Sequence, residues 1–225
     1  AQFSTMAGMK LHGGATRHYP QKSVRVYNRD KYGSKDFVND FFGDESHDIY
    51  DKLIFRNAGQ DWWLAYIRDA FLSIIGRRLG TMDAPAYTPA LSFINGNFYG
   101  IYNIRERIDD NYLAEKYGID NEQINFMEAP DFLKNGESIG YHRVYDSLKS
   151  EEMNSQAGFE FINRNFDIDN LIDYSAMEFW SCNHDWPALN VRYWNSPEID
   201  SRWRFILHDC DITLNLGPAT PEKWA

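Results

Sequence analysis

Hydrophobic and polar residues alternate from Lys22 to Tyr27: Lys22, Val24 and Val26 fall on one face, and Ser23, Arg25 and Tyr27 on the other. That period of two predicts a half-buried strand, with the Lys22 face toward a sheet-lined cleft. Met9 to Leu11 and Lys52 to Arg56 read as two more strands, and the polar stretch Asn28 to Asp51 as loop with short helical turns. Leu91 to Ile94 and Phe98 to Ile104 flank Asn95-Gly96 and predict a hairpin. Trp63, Ile67, Ala70, Phe71, Ile74, Ile75 and Leu79 recur at helical spacing, which predicts a helix over 61–79 with Asp61 as its N-cap and Gly80 as its stop. Asp109 or Asp110 caps a short helix ending at Tyr117-Gly118. Glu160 to Asn165 and Ile168 to Trp180 are two further helices. In the latter, Asp167 can cap, and Ile168, Leu171, Ile172, Met177, Phe179 and Trp180 line one broad face. Leu189 to Trp194 and Trp203 to Leu207, joined through Ser196-Pro197-Glu198, predict a late hairpin.

Sheet with one long helix, then helices, then a hairpin is an α+β order. It suggests two lobes, residues 1–106 and 107–225, with the boundary near Arg105 to Asp110. A length of 225 residues fits one large domain or two small lobes. The net charge of −10 argues against a broad nucleic-acid binder, and no apolar run is long enough for a membrane span. Cys182 and Cys210 are the only cysteines, which excludes a disulfide scaffold or a cysteine-built zinc site. No signal peptide is visible at Ala1, although one could have been removed. Pro218 to Ala225 reads as a loop cut short, so the C-terminal lobe is expected to be partial.

The densest polar cluster is Asn183-His184-Asp185-Trp186-Pro187-Ala188-Leu189-Asn190, between a helix and a strand. The late hairpin then delivers His208-Asp209-Cys210-Asp211. Mg²⁺ takes hard oxygen ligands and usually only one or two protein carboxylates. A carboxylate that holds no metal can accept a proton from a hydroxyl nucleophile. Asp185, Asn190 five residues on, a hairpin and then Asp209 reproduce the order in which protein-kinase-like enzymes place a catalytic Asp, a metal Asn and a metal Asp. Read without that analogy, Asp185 caps a turn, and Asp209 and Asp211 are solvated loop carboxylates. Carboxylates gathered in one site also need a cation to neutralise them, which Mg²⁺ would supply. The histidines His12, His18, His47, His142 and His208 make no convincing ligand set, and His184 reads as a residue that only orients its loop; Trp62, Trp63, Trp180 and Trp194 read as core or cleft walls.

Several blocks together resemble the spore coat protein H (CotH) kinase family. They are Gly13-Gly14 with Tyr19-Pro20-Gln21-Lys22-Ser23, Phe55-Arg56-Asn57, Asn95-Gly96-Asn97-Phe98-Tyr99-Gly100-Ile101-Tyr102 with Glu106, and Asp209-Cys210-Asp211. The resemblance spans about residues 8–216, and its most specific parts are the Asn95–Tyr102 block and the late D-x-D. It implies an atypical protein-kinase-like two-lobed fold that binds ATP with Mg²⁺ and phosphorylates Ser or Thr on a protein substrate, secreted or at the cell surface. It implies Asp185 as the catalytic carboxylate, Asn190 and Asp209 as metal ligands, and Asp211 as a weaker third. Lys22 matches the family's P-K-K-S lysine and would contact phosphate, or it is an exposed strand-start lysine. Gly13 and Gly14 would let backbone amides approach phosphates, or they form a plain turn. Ile104 and Glu106 fall where a kinase-like hinge would bond adenine through its backbone; Glu106 could instead pair with Arg56 or Arg68.

The chain departs from the family pattern in three places. Gln21 stands where a first Lys is common, His208 where Trp is usual, and the 61–79 segment contains no Glu for a Lys–Glu pair, leaving Asp61 or Asp69 to substitute. Retention of Asp185, Asn190 and Asp209 favours an enzyme; loss of the helix Glu favours a non-catalytic pseudokinase-like surface or coat scaffold. A third reading, a D-x-D glycosyltransferase, would require a parallel Rossmann-like sheet, and the Asn95-Gly96 hairpin argues against it.

Overall fold

The computed structural model describes residues 3–43, 48–128, 132–150 and 154–214. His47 and the Pro218–Ala225 segment lie outside the described residues. Five strands form one antiparallel sheet: β1 (Gly8–Leu11), β2 (Val24–Tyr27), β5 (Lys52–Arg56), β6 (Tyr87–Ile94) and β7 (Asn97–Glu106), in the order β1-β2-β5-β7-β6. The Asn95-Gly96 turn holds both residues at positive φ, as a two-residue hairpin of matching twist requires. Within the polar stretch read as loop, β3 (Phe37–Val38) and β4 (Ile49–Tyr50) pair as a small hairpin.

The two faces of the large sheet differ in chemistry. One face buries Leu53 and Ile104 with Phe37 and Tyr50 of the small hairpin, and packs Val26 and Phe55 against them. The other carries a cross-strand row, Lys10 opposite Arg25, Arg25 opposite Ile54, and Ile54 opposite Arg105. The face toward the cleft is therefore that of Ser23 and Arg25, one residue out of phase with the Lys22–Val24–Val26 face expected from the alternation. Both faces alternate equally well along the strand, and the side that is covered depends on where the β3–β4 hairpin folds back over the sheet.

The long helix starts later than its spacing predicts. Gly59–Trp63 is a short 3₁₀ turn, Tyr66 sits at positive φ, and α1 covers Arg68–Leu79. Asp61 still serves the helix start, because its fully buried carboxylate accepts from the amides of Ala65 and Arg68, each at 3.0 Å. The buried side of α1 is Asp69, Ala70, Leu72, Ser73 and Gly76, while Trp63, Ile67, Phe71 and Leu79 are exposed.

After β7, α2 (Asp110–Tyr117) is capped by Asp109, whose side chain accepts from Tyr112 N. The second half holds more sheet than the mainly helical reading expected. It contains α3 (Ile139–Ser150), α4 (Gln156–Asn165) and α5 (Ile168–Trp180), together with a four-stranded antiparallel sheet. That sheet joins β8 (Asn125–Glu128) and β9 (Phe132–Asn135) to the late hairpin β10 (Arg192–Asn195) and β11 (Arg204–Ile206), in the order β11-β10-β8-β9. β8 went unseen because Phe126 and Met127, adjacent in sequence, are both buried, one on each face, so no alternation marks the strand. The molecule is mixed α and β with antiparallel sheets; a parallel Rossmann-like sheet is absent among the described residues.

Between α1 and α5, Leu72, Tyr174, Met177, Leu207 and Cys210 form a shared core. Trp194 is fully buried beside Leu113 and Ile206, as expected for a core tryptophan, whereas Trp63 and Trp180 are exposed. None of the helices among the described residues is long and apolar enough to cross a membrane.

Candidate functional site

The basic face of the large sheet closes over a cavity of about 770 Å³, whose other wall comes from residues 185–192 and 208–211. Gly13, Gly14, Glu106, Asp185, Asn190, Asp209 and Asp211 all line it. Seven of the nine site residues read from the sequence thus meet in one place, although they span almost the whole chain.

Lys22 is not among the residues that line the cavity. Its ammonium donates to the Arg17 carbonyl at 2.7 Å, and its own carbonyl accepts from the Tyr102 hydroxyl, so it ties down the loop before β2. Ile104 lines the core side of the sheet, and its backbone pairs with Phe55 and Thr88. The amide of Glu106 is likewise used, donating to Ala86 O. The first residues past the strand that line the cavity are Arg107 and Ile108. Glu106 pairs with Arg77 at 3.1 Å and accepts from Ala86 N, a structural ion pair with a different arginine from the two read in the sequence.

Asp185 sits on the loop that leaves α5. Asn190 donates from Nδ2 to Asp185 Oδ2 at 3.2 Å, and Asn183 Oδ1 accepts from the Asp185 amide at 3.2 Å. The five-residue spacing brings the two side chains into contact because Asn190 takes a positive φ, which Asn tolerates better than most residues. The loop is anchored from beneath: Asn183 donates to the buried Glu178 at 2.8 Å, and His184 N bonds Ile212 O at 3.0 Å.

Glu178 is itself out of the ordinary. Burial raises its pKa to about 7, against the bond from Asn183 that favours the ionised form. A raised folded-state value adds stability that is full below the ordinary Glu pKa and lost as pH rises through 7. Glu178→Gln keeps the acceptor for Asn183 and removes this proton linkage. Its melting temperature should therefore gain on the parent as pH goes from 5 to 8, by an amount equivalent to on the order of 2–3 kcal/mol. Parallel melting curves across that range would show that Glu178 is ionised in the fold.

Asp209 and Asp211 meet a protein cation. Arg56 Nη2 donates to Asp211 Oδ2 at 2.8 Å and to Asp209 Oδ1, and its Nε lies 3.8 Å from Asp69. Asp69, on α1, also pairs with Arg105 of β7 and accepts from the Cys210 amide at 2.9 Å. Asp69, one of the two substitutes for a helix Glu, thus takes the part of linking helix, sheet and acidic loop. Burial works against its ionisation, but Arg105 and Arg56 hold its pKa far below the usual carboxylate range. The same contest keeps Asp209 below its ordinary value, chiefly through Arg56. Burial pushes the Asp211 carboxyl up, and the Asp209 charge adds to this against the pull of Arg56.

Glycine at position 59 has a steric reason: at φ +63° it leads into Gln60, whose amide bonds Asp211 at 2.8 Å, and a Cβ there would land on the Asp211 carboxylate. Asp209 is at positive φ, which turns its carboxylate back toward Arg56. Two histidines line the cavity and are kept neutral at physiological pH. His12 is lowered to about 4 by burial and Arg56, and His208 to about 3 by burial and Arg192. Arg56 was visible within the Phe55-Arg56-Asn57 block and as a candidate partner of Glu106, not as the counter-ion of Asp209 and Asp211; Glu178, Gly59 and Arg105 had no sequence signal of their own.

The arrangement is an acidic loop pair facing a basic sheet across a single cleft, in an α+β protein of antiparallel sheets. The family model described as CotH kinase protein matches residues 9–219, nearly the whole chain, and the protein belongs to that kinase-like family. A search of curated proteins gave no match.

Proposed function

We propose that the chain is an atypical, ATP- and Mg²⁺-dependent protein kinase that moves the γ-phosphate onto a Ser or Thr hydroxyl of a protein substrate, secreted or at the cell surface. The observation that carries this reading is the convergence of Asp185, Asn190, Asp209 and Asp211 with Gly13 and Gly14 on one cavity. In this reading residues 1–106 and 107–225 act as the two lobes, with Arg107 and Ile108 at the hinge and Gly13-Gly14 near the phosphates.

The oxygen donors fit a hard divalent cation. Asp211 Oδ1 is buried with no hydrogen-bond partner, and Asn190 and Asp209 line the same wall. Asn190, Asp209 and Asp211 would hold Mg²⁺, which when bound neutralises charge on the nucleotide phosphates. Asp185, positioned by Asn190 and Asn183, orients the incoming hydroxyl and accepts its proton. Arg56, already beside Asp209 and Asp211, shares the task of balancing negative charge.

One observation favours a second reading, a non-catalytic scaffold. Arg56 already neutralises the pair, and no group of three His, Cys, Asp or Glu residues among the described residues is arranged to hold a metal. The two readings differ in a thermal-shift measurement with millimolar ATP, with and without Mg²⁺. A kinase is stabilised by ATP only when Mg²⁺ is present, and Asp209→Asn removes that gain while the unliganded protein still folds. No Mg²⁺-dependent shift in the parent protein would favour the scaffold.

A further inference from the structure

A second pocket, of about 670 Å³, opens at the end of the β1–β2 hairpin opposite Gly13 and Gly14. Its volume falls within the range of about 300–1,000 Å³ that holds small molecules. The chain as a whole is acidic, yet the cations in this pocket far outnumber its two carboxylates, Asp30 and Asp51. Asp51 is already paired with Lys52, and Asp109, just outside the pocket, takes both Lys52 and Arg107. Arg29 and Lys31 lie over the rings of Tyr27 and Tyr32. Lys10, Arg25 and Lys35 remain, and none of them has an ion pair among the described residues.

The register sharpens the point. Lys10 stands directly opposite Arg25 across the β1–β2 pair. Like charges directly opposite on a sheet are destabilising, and among the described residues no carboxylate pairs with either of them. Folding tolerates this repulsion, and an anion seated between the strands would remove it. Three unpaired cations call for a ligand with three or more negative charges, which for phosphate chemistry means at least two phosphate groups.

We propose that the pocket formed by Lys10, Arg25 and Lys35 is a binding site for a small compound carrying two or more phosphate groups, distinct from the site of a nucleotide's phosphates near Gly13-Gly14. The pocket shares Lys10, Arg25 and Arg107 with the larger cavity, so its occupant lies alongside whatever fills the cleft. This inference does not rest on phosphate transfer: a chain that never turns over ATP keeps the site.

The probe is inorganic tripolyphosphate, titrated calorimetrically into the chain with a metal chelator present and ionic strength held constant with KCl. The expected result is one saturable site in the parent protein. Lys35→Glu changes an exposed side chain outside the larger cavity, and it weakens that site by about tenfold or more, as loss of a charge-assisted contact does. Its Mg²⁺-dependent response to ATP stays at the parent's level. The double variant Lys10→Ala, Arg25→Ala removes tripolyphosphate binding while raising the melting temperature without ligand, because the cross-strand repulsion is gone. Equal affinity in the parent and Lys35→Glu, or no binding by the parent, would overturn the proposal. So would a response to tripolyphosphate that KCl reproduces at matched ionic strength.

Discussion

Asp185→Asn should lower phosphate transfer to a Ser-rich acceptor by about 10²–10⁴-fold while leaving nucleotide affinity nearly unchanged. The reason is the division of labour in the cleft. The Asp185 carboxylate accepts from Asn190 and its backbone amide donates to Asn183, with no bond to the Arg56 cluster, so its charge is not part of what balances Asp209 and Asp211. Asn at 185 can still accept a bond from Asn190, which preserves the loop. It cannot take a proton from the acceptor hydroxyl. The measurement is paired, nucleotide Kd by calorimetry and turnover by phosphate transfer. Equal loss of both would recast Asp185 as a metal ligand, and loss of neither would leave it a turn-capping residue.

Arg56→Met should have the largest effect on stability. It removes a largely buried cation that bonds Asp209 and Asp211 and lies within 4 Å of Asp69, leaving Asp69 with Arg105 and the other two carboxylates with no ion-pair partner among the described residues. Breaking a buried ion pair from one side typically costs about 3–5 kcal/mol. The pH dependence shifts with it. In the parent, Asp69 and Asp209 have depressed values, so their contribution is present above the usual Asp pKa and lost on acidification through the depressed folded-state values. Asp211, raised by burial, works the other way and lowers stability as pH rises. Without Arg56 the pull that lowers Asp209 and Asp211 is gone, so stability falls more steeply from pH 5 to 8 than in the parent. Millimolar Mg²⁺ should then restore part of the loss, because a divalent cation can take the place of the guanidinium. Chemical denaturation at pH 5 and 8, with Mg²⁺ and with chelator, tests both statements. A variant as stable as the parent in chelator at pH 8 would show that Arg56 is not the counter-ion of the site.

The two variants also separate the acid–base part of the cleft from its charge-balancing part, a division that sequence made visible only in half. Asp185, Asn190, Asp209 and Asp211 could be read from their order along the chain, because a helix, a loop and a hairpin that follow one another in sequence also stay neighbours in space. Arg56 belongs to a different sheet and reaches Asp209 and Asp211 across more than 150 residues, a pairing that no local pattern marks. The Lys22 motif suggested a phosphate-binding lysine, but in the fold that ammonium closes its own loop on Arg17, and the cations facing the cavity include arginines of β2, β5 and β7.

Elements with local signals came out close to their predicted bounds. The Lys52–Arg56 strand and the Ile168–Trp180 helix match residue for residue, and the Asn95-Gly96 turn and the Asp109 and Asp167 caps hold as read. Turn dihedrals, cap hydrogen bonds and stop glycines are satisfied within a few residues, so the chain specifies them by itself. Which face each element buries was decided elsewhere. On α5 the sequence offered Ile172, Phe179 and Trp180, and these are exposed, whereas Asn170, Tyr174 and Glu178 are buried. Asn170 finds distant partners in the carbonyls of Thr81 and Phe205, and Glu178 accepts from Asn183 of the loop that follows. A buried polar group is tolerated only when such a partner is present, and that partner exists only once the whole chain has folded. Local order and the identity of the acidic residues were thus legible in the sequence; the faces, the second sheet and the cation at the centre of the cleft were fixed by contacts that only tertiary packing makes.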